Sequence, residues 1–418
     1  MPESILMQAA TIRSRSLAIR RWVEAGHSNC WTVDPACLED AAQVVATITR
    51  ARFPDLNVPG HSRWRHFEAG GEDRALELTR TLVQAGYDSS SIDALLARVD
   101  LCMVSVLLDA GAGALWRFTD RQGRAIGRSE GLAIATIEAF MRGAFAEDAE
   151  PGLRVDATVL ERFEARELAR LFQHSSVNPL DGLEGRLEIL NRLGRALRAR
   201  GLSRPAELYL PLLEAVRREA SVAEQIGNAP QGLSAAAMLE STVTGLAPVW
   251  LQASDAPDGS RGDLWHHPAA RDEDDLQQPD TQGWVPFHKL SQWLCYSLIE
   301  PLAWAGIEVS DQQALTGLPE YRNGGLLIDT GVLRLRDPDD SARIWGPGDR
   351  LVIEWRALTV SLIDELADRV RAQLGRDRGS LPLASILEGG TWAAGRELAQ
   401  ARRGGRPPLS VDTAGSVF

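Results

Sequence analysis

Two short stretches carry residue types that can break a bond at a sugar carbon. In FHKLSQWLCYSLIEPLAWAG, Lys289 heads a run whose apolar positions Leu290, Trp293, Leu294 and Leu298 recur with helical spacing. Farther on, LTGLPEYRNGG sets Glu320, Tyr321 and Arg322 beside Gly324 and Gly325. A carboxylate stabilises a cationic sugar carbon or deprotonates a water, an arginine holds a phosphate, and a tyrosine ring stacks on a base. A lysine among apolar side chains needs an anionic partner. The set favours a small-molecule enzyme over a scaffold. Each member also has a structural reading: a solvated lysine on a polar helix face, and a surface turn closed by a local Glu–Arg pair.

Three other clusters join these. SRWRHFE brings Arg63, Trp64, Arg65 and His66 together, as an anion-and-ring contact or as an aromatic anchor flanked by solvated arginines. LLDAGAGALWRF delivers Asp109 to a glycine-rich turn suited to a phosphate or ribose, although the later glycine of a dinucleotide motif is missing. ILEGGTWAAGRE pairs Glu388 with glycines and Trp392. His266, His267 and Asp263 are the one candidate cation cluster, but adjacent histidines cannot share a helix face. With no HExxH, GxSxG or Walker loop either, no metal is expected.

The elements that must position these residues read as helices. Residues 39–52, 73–100, 157–173, 183–200 and 206–226 place apolar and charged positions at helical spacing, and Asp34-Pro35 and Ser203-Arg204-Pro205 read as helix starts. The basic N-terminal stretch reads as a helix lying on the fold. Pro301 is expected to end the Lys289 helix. In EWRALTVSLIDELADRV, Trp355, Leu358, Leu362, Leu366 and Val370 track one face, with Glu354 and Arg356 at its start. Residues 101–111 and 350–355 are the best strand candidates, or else buried helix. Residues 254–283, rich in Pro, Gly and Asp, read as a long surface loop or lid. The division is an N-terminal helical part, 1–155, contributing the Arg63 and Asp109 segments, and a part 156–418 carrying the site, or one integrated domain.

Composition sets the limits. A chain of 418 residues buries a sizeable core, and its formal charge of −12 argues against a polymeric nucleic acid, whose phosphates need a basic face. No apolar run reaches the length of a membrane span, and no signal peptide appears, so a cytoplasmic protein is expected. Cys30, Cys37, Cys102 and Cys295 lack CxxC spacing and read as free thiols. Twelve tryptophans against four tyrosines, eight of them from Trp250 onward, suit a packed core and equally a pocket for a flat ligand.

At SRWRHF, SVLLDAGAGALWRF, SEGLA, NPLDGLEGR, FHKLSQWLCYSLIEPL, LTGLPEYRNGGLLIDTGVL, EWRALTV and LEGGTWAAGR the chain resembles the uracil catabolism protein four family. The resemblance spans nearly the whole chain. It implies a place in a uracil-degrading route in which uracil becomes a nucleotide and ribosylurea-type intermediates yield urea. From Phe287 to about Trp392 the order of elements is also similar to the queuosine-nucleotide N-glycosylase (queuosine salvage) family. That family has a Phe-Tyr-Lys-Arg-Ala-Gln helix, an Ala-Asp-Tyr-Arg-Val-Pro-Gln turn and a Glu-Ile-Arg-Ala helix. Here FHKLSQ, PEYRNGG and EWRALTV stand in that order, with glutamate for the catalytic aspartate and Gly-Gly for Pro-Gln, which implies a reshaped pocket and a different leaving group.

This second resemblance implies a mainly α fold with little β structure, of helix-hairpin-helix DNA-glycosylase-like architecture. Together the two resemblances suggest hydrolysis of an N-glycosidic bond, releasing urea from ribosylurea or its 5-phosphate, with no cofactor required. Glu320 would stabilise the sugar cation and activate water, and Asp109 or Lys289 would serve as acid, unless Lys289 only orients Glu320. Arg322 and Arg63 are the phosphate candidates, Trp392 or Trp64 the stacking ones, and Asp329 or Asp109 the ribose ones. Tyr321, His66, His288, Arg356 and Glu388 complete the expected substrate contacts. The alternatives are an amide hydrolase acting on a ring-opened pyrimidine nucleotide, and a non-catalytic nucleotide-binding partner of the pathway. Expected partners are a small ribosylated molecule and other uracil-catabolism enzymes.

Overall fold

The computed structural model describes residues 4–148, 152–225, 232–250, 256, 259–272 and 278–412. The fold is mainly α, with β structure limited, among the described residues, to five two-stranded pairings. At its centre runs the helix Arg350–Leu374, buried on every side along its first half. Helices Ala9–Glu24, Leu38–Arg52 and Tyr321–Asp329 pack around it. A second layer is built on Lys289–Trp304, which lies against Ile92–Leu107 and Ala235–Leu246, while Arg128–Met141 packs on Ile92–Leu107. One continuous apolar core joins both layers, from Ile12 and Trp31 near the N-terminus to Leu366 and Leu409 near the C-terminus.

The two strand candidates are helices. Residues 101–107 complete Ile92–Leu107, and 350–355 open the 25-residue central helix. Residues 101–107 and 351–355 are buried all round, so the apolar run carries no face-to-face alternation that tells helix from strand. The expected helix over 73–100 is two, Arg74–Gln84 and Ile92–Leu107, parted at Gly86, whose φ of +90° no helix interior adopts. Residues 157–173 likewise split into Ala157–Glu161 and Ala165–Leu171. Pro205–Tyr209 is a tight 3₁₀ turn leading into Leu210–Gln225.

Pro301 does not end its helix, which continues to Trp304. A proline here removes the amide that would bond the carbonyl four residues earlier, that of Ser297. The indole N–H of Trp64 donates to that carbonyl at 2.9 Å and replaces the lost bond. Within and beside the expected loop over 254–283, Leu264–His266 pairs antiparallel with Trp284–Pro286, and residues 251–255, 257–258 and 273–277 lie outside the described set. The Leu387–Thr391 segment, with its paired glycines, is a π turn within a helical run from Leu383 to Arg403. Among the described residues no helix is long and apolar enough to cross a membrane.

Candidate active site

Lys289 is the first residue of its helix, entered through His288 in the left-handed region (φ +45°). Asp263 fixes that start by accepting the Lys289 backbone N–H at 3.1 Å. The same carboxylate takes two bonds from the Arg356 guanidinium, both 2.6 Å, and one from the Trp265 indole at 2.7 Å. Burial pushes the Asp263 carboxyl up, but Arg356 and these donors outweigh it and hold it at about 2. Lys289 and Arg356 are thereby tied to one buried anion. On the flank of the Lys289 helix, Gln292 and Tyr296 grip Thr316: Thr316 N–H donates to Gln292 Oε1 at 2.8 Å, and Tyr296 OH donates to the Thr316 carbonyl at 3.0 Å. That grip fixes the Leu315–Glu320 segment beside the lysine.

Glu320 is the N-cap of Tyr321–Asp329. Its Oε1 accepts from Asn323 N–H at 2.6 Å and its Oε2 from Arg322 N–H at 3.0 Å. A carboxylate suits the positive end of a helix, and two backbone donors leave it little freedom to turn. Gly324, in the first turn, permits this approach: a Cβ there would lie 2.6 Å from Trp355 Nε1 and 2.9 Å from Thr359 Oγ1. Gly395 does the same for the neighbouring helix, since its Cβ would meet the Arg322 carbonyl at 2.0 Å. At these two positions the glycines serve helix packing.

Of the 45 basic residues in the chain, 44 are arginine and one is Lys289. Among the described residues no carboxylate reaches ion-pair distance of its ammonium. Burial first, and then the charge of Arg356, push that ammonium down from the ordinary 10.5 to about 8, while Glu320, Asp263 and Asp109 pull it up. Asp109 stands at the end of the Ile92–Leu107 segment with Oδ2 3.1 Å from Arg63, and its Oδ1 has no hydrogen-bond partner. Arg63 itself is fully buried, donates to Ser105 Oγ at 2.7 Å, and lies over the Trp293 ring.

A cavity of about 360 Å³ brings Lys289, Glu320, Asp109, Arg322, Tyr321, His66, Arg356 and Trp392 together. The Trp293 and Trp355 rings add to its walls, and so do His61, Arg128 and the C-terminal segment at Pro407, Leu409 and Val411. A volume of this order suits a small polar ligand with a flat part. Burial, then Arg63 beside it, hold His66 well below the usual imidazole range, so it is neutral at physiological pH.

Five expected contacts lie outside the cavity. Trp64 packs edge-on against Phe67 and Trp304 in the core. Arg63 stands behind Asp109 as its ion-pair partner. His288 Nε2 bonds the Leu6 carbonyl at 2.8 Å, and burial keeps it neutral. Asp329 is held by Arg403 at 2.6 and 2.7 Å, joining two helices. Glu388, on the π turn, accepts from Arg52 at 3.1 Å and lies 2.8 Å from His61 Nδ1. The His266–His267–Asp263 cluster is not assembled, since Asp263 faces Arg356 and His267 bonds Glu354 at 3.2 Å.

Sequence pattern marks Trp293 and Trp355 only as apolar helix positions, and it does not single out His61 or Arg128. His61 deserved notice only through its place one residue before SRWRHF, and its link to Glu388 crosses 327 positions of chain. Bonded at Nδ1, it stacks on Trp293 with ring centroids 6.2 Å apart and offers the cavity the other ring edge. The singularity of Lys289 could have been counted from composition alone.

A family model described as "Protein of unknown function (DUF1688)" matches residues 5–418. The chain is 34% identical over 420 residues to a protein named "Protein urg3" of Schizosaccharomyces pombe, covering 99% of this chain and 98% of that one. It is 32% identical over 451 residues to "Uracil catabolism protein 4" of Lachancea kluyveri, covering 100% and 99%.

Proposed function

The chain belongs to the DUF1688 family, and we propose that it acts in uracil catabolism as a hydrolase. The bond it cleaves is the N-glycosidic bond of ribosylurea or its 5-phosphate, and the product is urea. The observation that carries this reading is the pairing of a helix-capping carboxylate, Glu320, with the chain's only lysine in one aromatic-walled cavity.

The chemistry follows from the positions. As the C–N bond lengthens, positive charge grows on the sugar ring, and a fixed carboxylate facing it lowers the barrier without reorganising. Glu320 has both oxygens on backbone donors, which suits this electrostatic part better than proton transfer. Urea leaves more readily once protonated, and the Lys289 ammonium, at about 8, can give up a proton near neutral pH. Water adds at the vacated carbon and loses its proton to Asp109, whose Oδ1 has no protein partner. Passing that proton back to Lys289 closes the cycle, with one water consumed.

The test incubates the protein with ribosylurea and with its 5-phosphate and measures urea and reducing sugar. Equal release of both is expected, and Glu320→Gln should slow it by about 10²–10³-fold. Full activity in Glu320→Gln removes the role given to that carboxylate. Turnover that yields no free sugar points instead to amide cleavage.

A further inference from the structure

We propose that the mouth of the cavity is a phosphomonoester subsite, built from Arg322, Arg128 and the open start of the Arg128–Met141 helix. The ligand is accordingly a sugar phosphate and not the free sugar. For the identity of that sugar the inference rests on the glycosidase reading, whereas phosphate capture can be measured without turnover.

Arg322 carries the argument. It is 7% exposed, and its guanidinium forms no hydrogen bond or ion pair among the described residues. The other seven buried arginines all donate to protein oxygens. What Arg322 has is two aromatic faces, the Tyr321 ring at 4.8 Å and the Trp392 ring at 4.3 Å. Stacking fixes the plane of a guanidinium and leaves its edge donors free, the arrangement for bidentate capture of an anion. A buried cation with idle donors is costly unless a ligand satisfies them.

The second observation is independent. The cavity opens into an outer basin of about 810 Å³, and the two share Arg128, Tyr321, Arg322, Trp392 and Gly405. At that junction starts the 14-residue helix Arg128–Met141, whose N-cap, Gly127, has no side chain to occupy the first amides. Helix starts of this kind bind phosphate through backbone N–H groups. Arg128 is exposed there, has no ion-pair partner among the described residues, and holds φ at +59°, in the left-handed region. Glu130, in the first turn, is paired with Arg396 at 3.1 Å, so its charge does not stand alone against an anion. Against Glu130 and Glu397 the basin sets Arg52, Arg117, Arg128, Arg322 and Arg396, in a chain whose net charge is −12. A general negative field repels anions, and a local cationic mouth selects where one enters. A phosphate held at the junction leaves the sugar to reach inward toward Glu320 and Lys289.

The experiment titrates wild type, Arg322→Gln and Arg128→Gln with ribose 5-phosphate, inorganic phosphate and ribose by calorimetry, with Arg170→Gln as a remote control and circular dichroism to confirm folding. Ribose 5-phosphate should bind roughly 100-fold tighter than ribose, and each site variant should lose roughly 10- to 100-fold of that affinity while the control loses none. Inorganic phosphate should compete with ribose 5-phosphate. Arg128 is exposed, so its variant reports even where Arg322→Gln fails to fold. Equal binding of ribose and ribose 5-phosphate overturns the subsite, as does wild-type affinity in Arg128→Gln together with any folded Arg322 variant. Tight, arginine-dependent binding of ribose 5-phosphate without urea release from any ribosylurea upholds the subsite and removes the glycosidase reading. Urea release indifferent to the phosphate does the reverse.

Discussion

Replacing Lys289 by methionine should stabilise the fold near neutral pH and remove activity. The ammonium is pushed from the ordinary 10.5 to about 8, and each pKa unit corresponds to about 1.4 kcal/mol, so a fully dry site would cost the charged form roughly 3 kcal/mol. The side chain keeps partial contact with the cavity, where water screens it, and a cost of about 1–2 kcal/mol is the better figure. Because the folded value lies below the unfolded one, the unfolded chain binds more protons between about 8 and 10.5. Stability therefore rises with pH across that window, and the penalty is full below it. Lys289→Met should unfold at higher guanidinium concentration than wild type at pH 7, with the two curves converging toward pH 10. A single lysine makes the direct measurement clean: lysine labelled at the ε carbon gives one side-chain resonance, which should titrate near 8. Lys289→Arg should be inactive, since a guanidinium keeps its charge and cannot pass the proton. A resonance titrating above 10, or Lys289→Met less stable than wild type at pH 7, would refute the reasoning.

Two further outcomes follow from contacts around the site. Gly324→Ala drives a methyl group to 2.6 Å from Trp355 Nε1, and overpacking of this kind costs about 1–3 kcal/mol; a thermal midpoint equal to wild type would contradict the packing described. Trp64→Phe strips the Ser297 carbonyl of its indole donor, a loss of about 1–3 kcal/mol. Pro301→Ala returns the helical N–H to that carbonyl and should recover about 1 kcal/mol more in the Trp64→Phe background than alone. A double-mutant cycle with no coupling would separate Trp64 from the proline.

Helices with one wet face were legible in the sequence, and the short segments left ambiguous were ones buried all round. Leu38–Arg52 and Leu183–Ala199 keep solvent on one side, so their charged positions mark the period. The end of Ile92–Leu107 and the Leu351–Ile353 start of the central helix have no such side and read equally as strand, whereas the apolar stripes of Lys289–Trp304 and of Trp355–Val370 show the helical period despite their burial. The site followed a similar rule. Lys289, Glu320, Tyr321, Arg322 and Trp392 stand in stretches where charge, glycine and aromatic residues collide, and they meet in one cavity. Trp64, His288 and Asp329 stand in equally mixed stretches, yet their polar groups bond a carbonyl or an arginine far along the chain. No local pattern distinguishes a donor aimed at a ligand from one aimed at a carbonyl 233 positions away.

Composition narrows what local pattern leaves open. A chain that places arginine at 44 of its 45 basic positions satisfies every ordinary need for positive charge with arginine, including the buried pair with Asp263 and the stacked cation at 322. Arg322 and Arg356 line the same cavity as Lys289, so neither charge nor room for a guanidinium accounts for a lysine there. What arginine cannot supply is a proton that leaves near neutral pH, or a compact ammonium with rotatable donors. Burial and the neighbouring Arg356 push Lys289 in the direction of the first. The lysine thus argues for proton transfer at this cavity on grounds separate from any likeness to a glycosylase, and Lys289→Arg tests that argument alone.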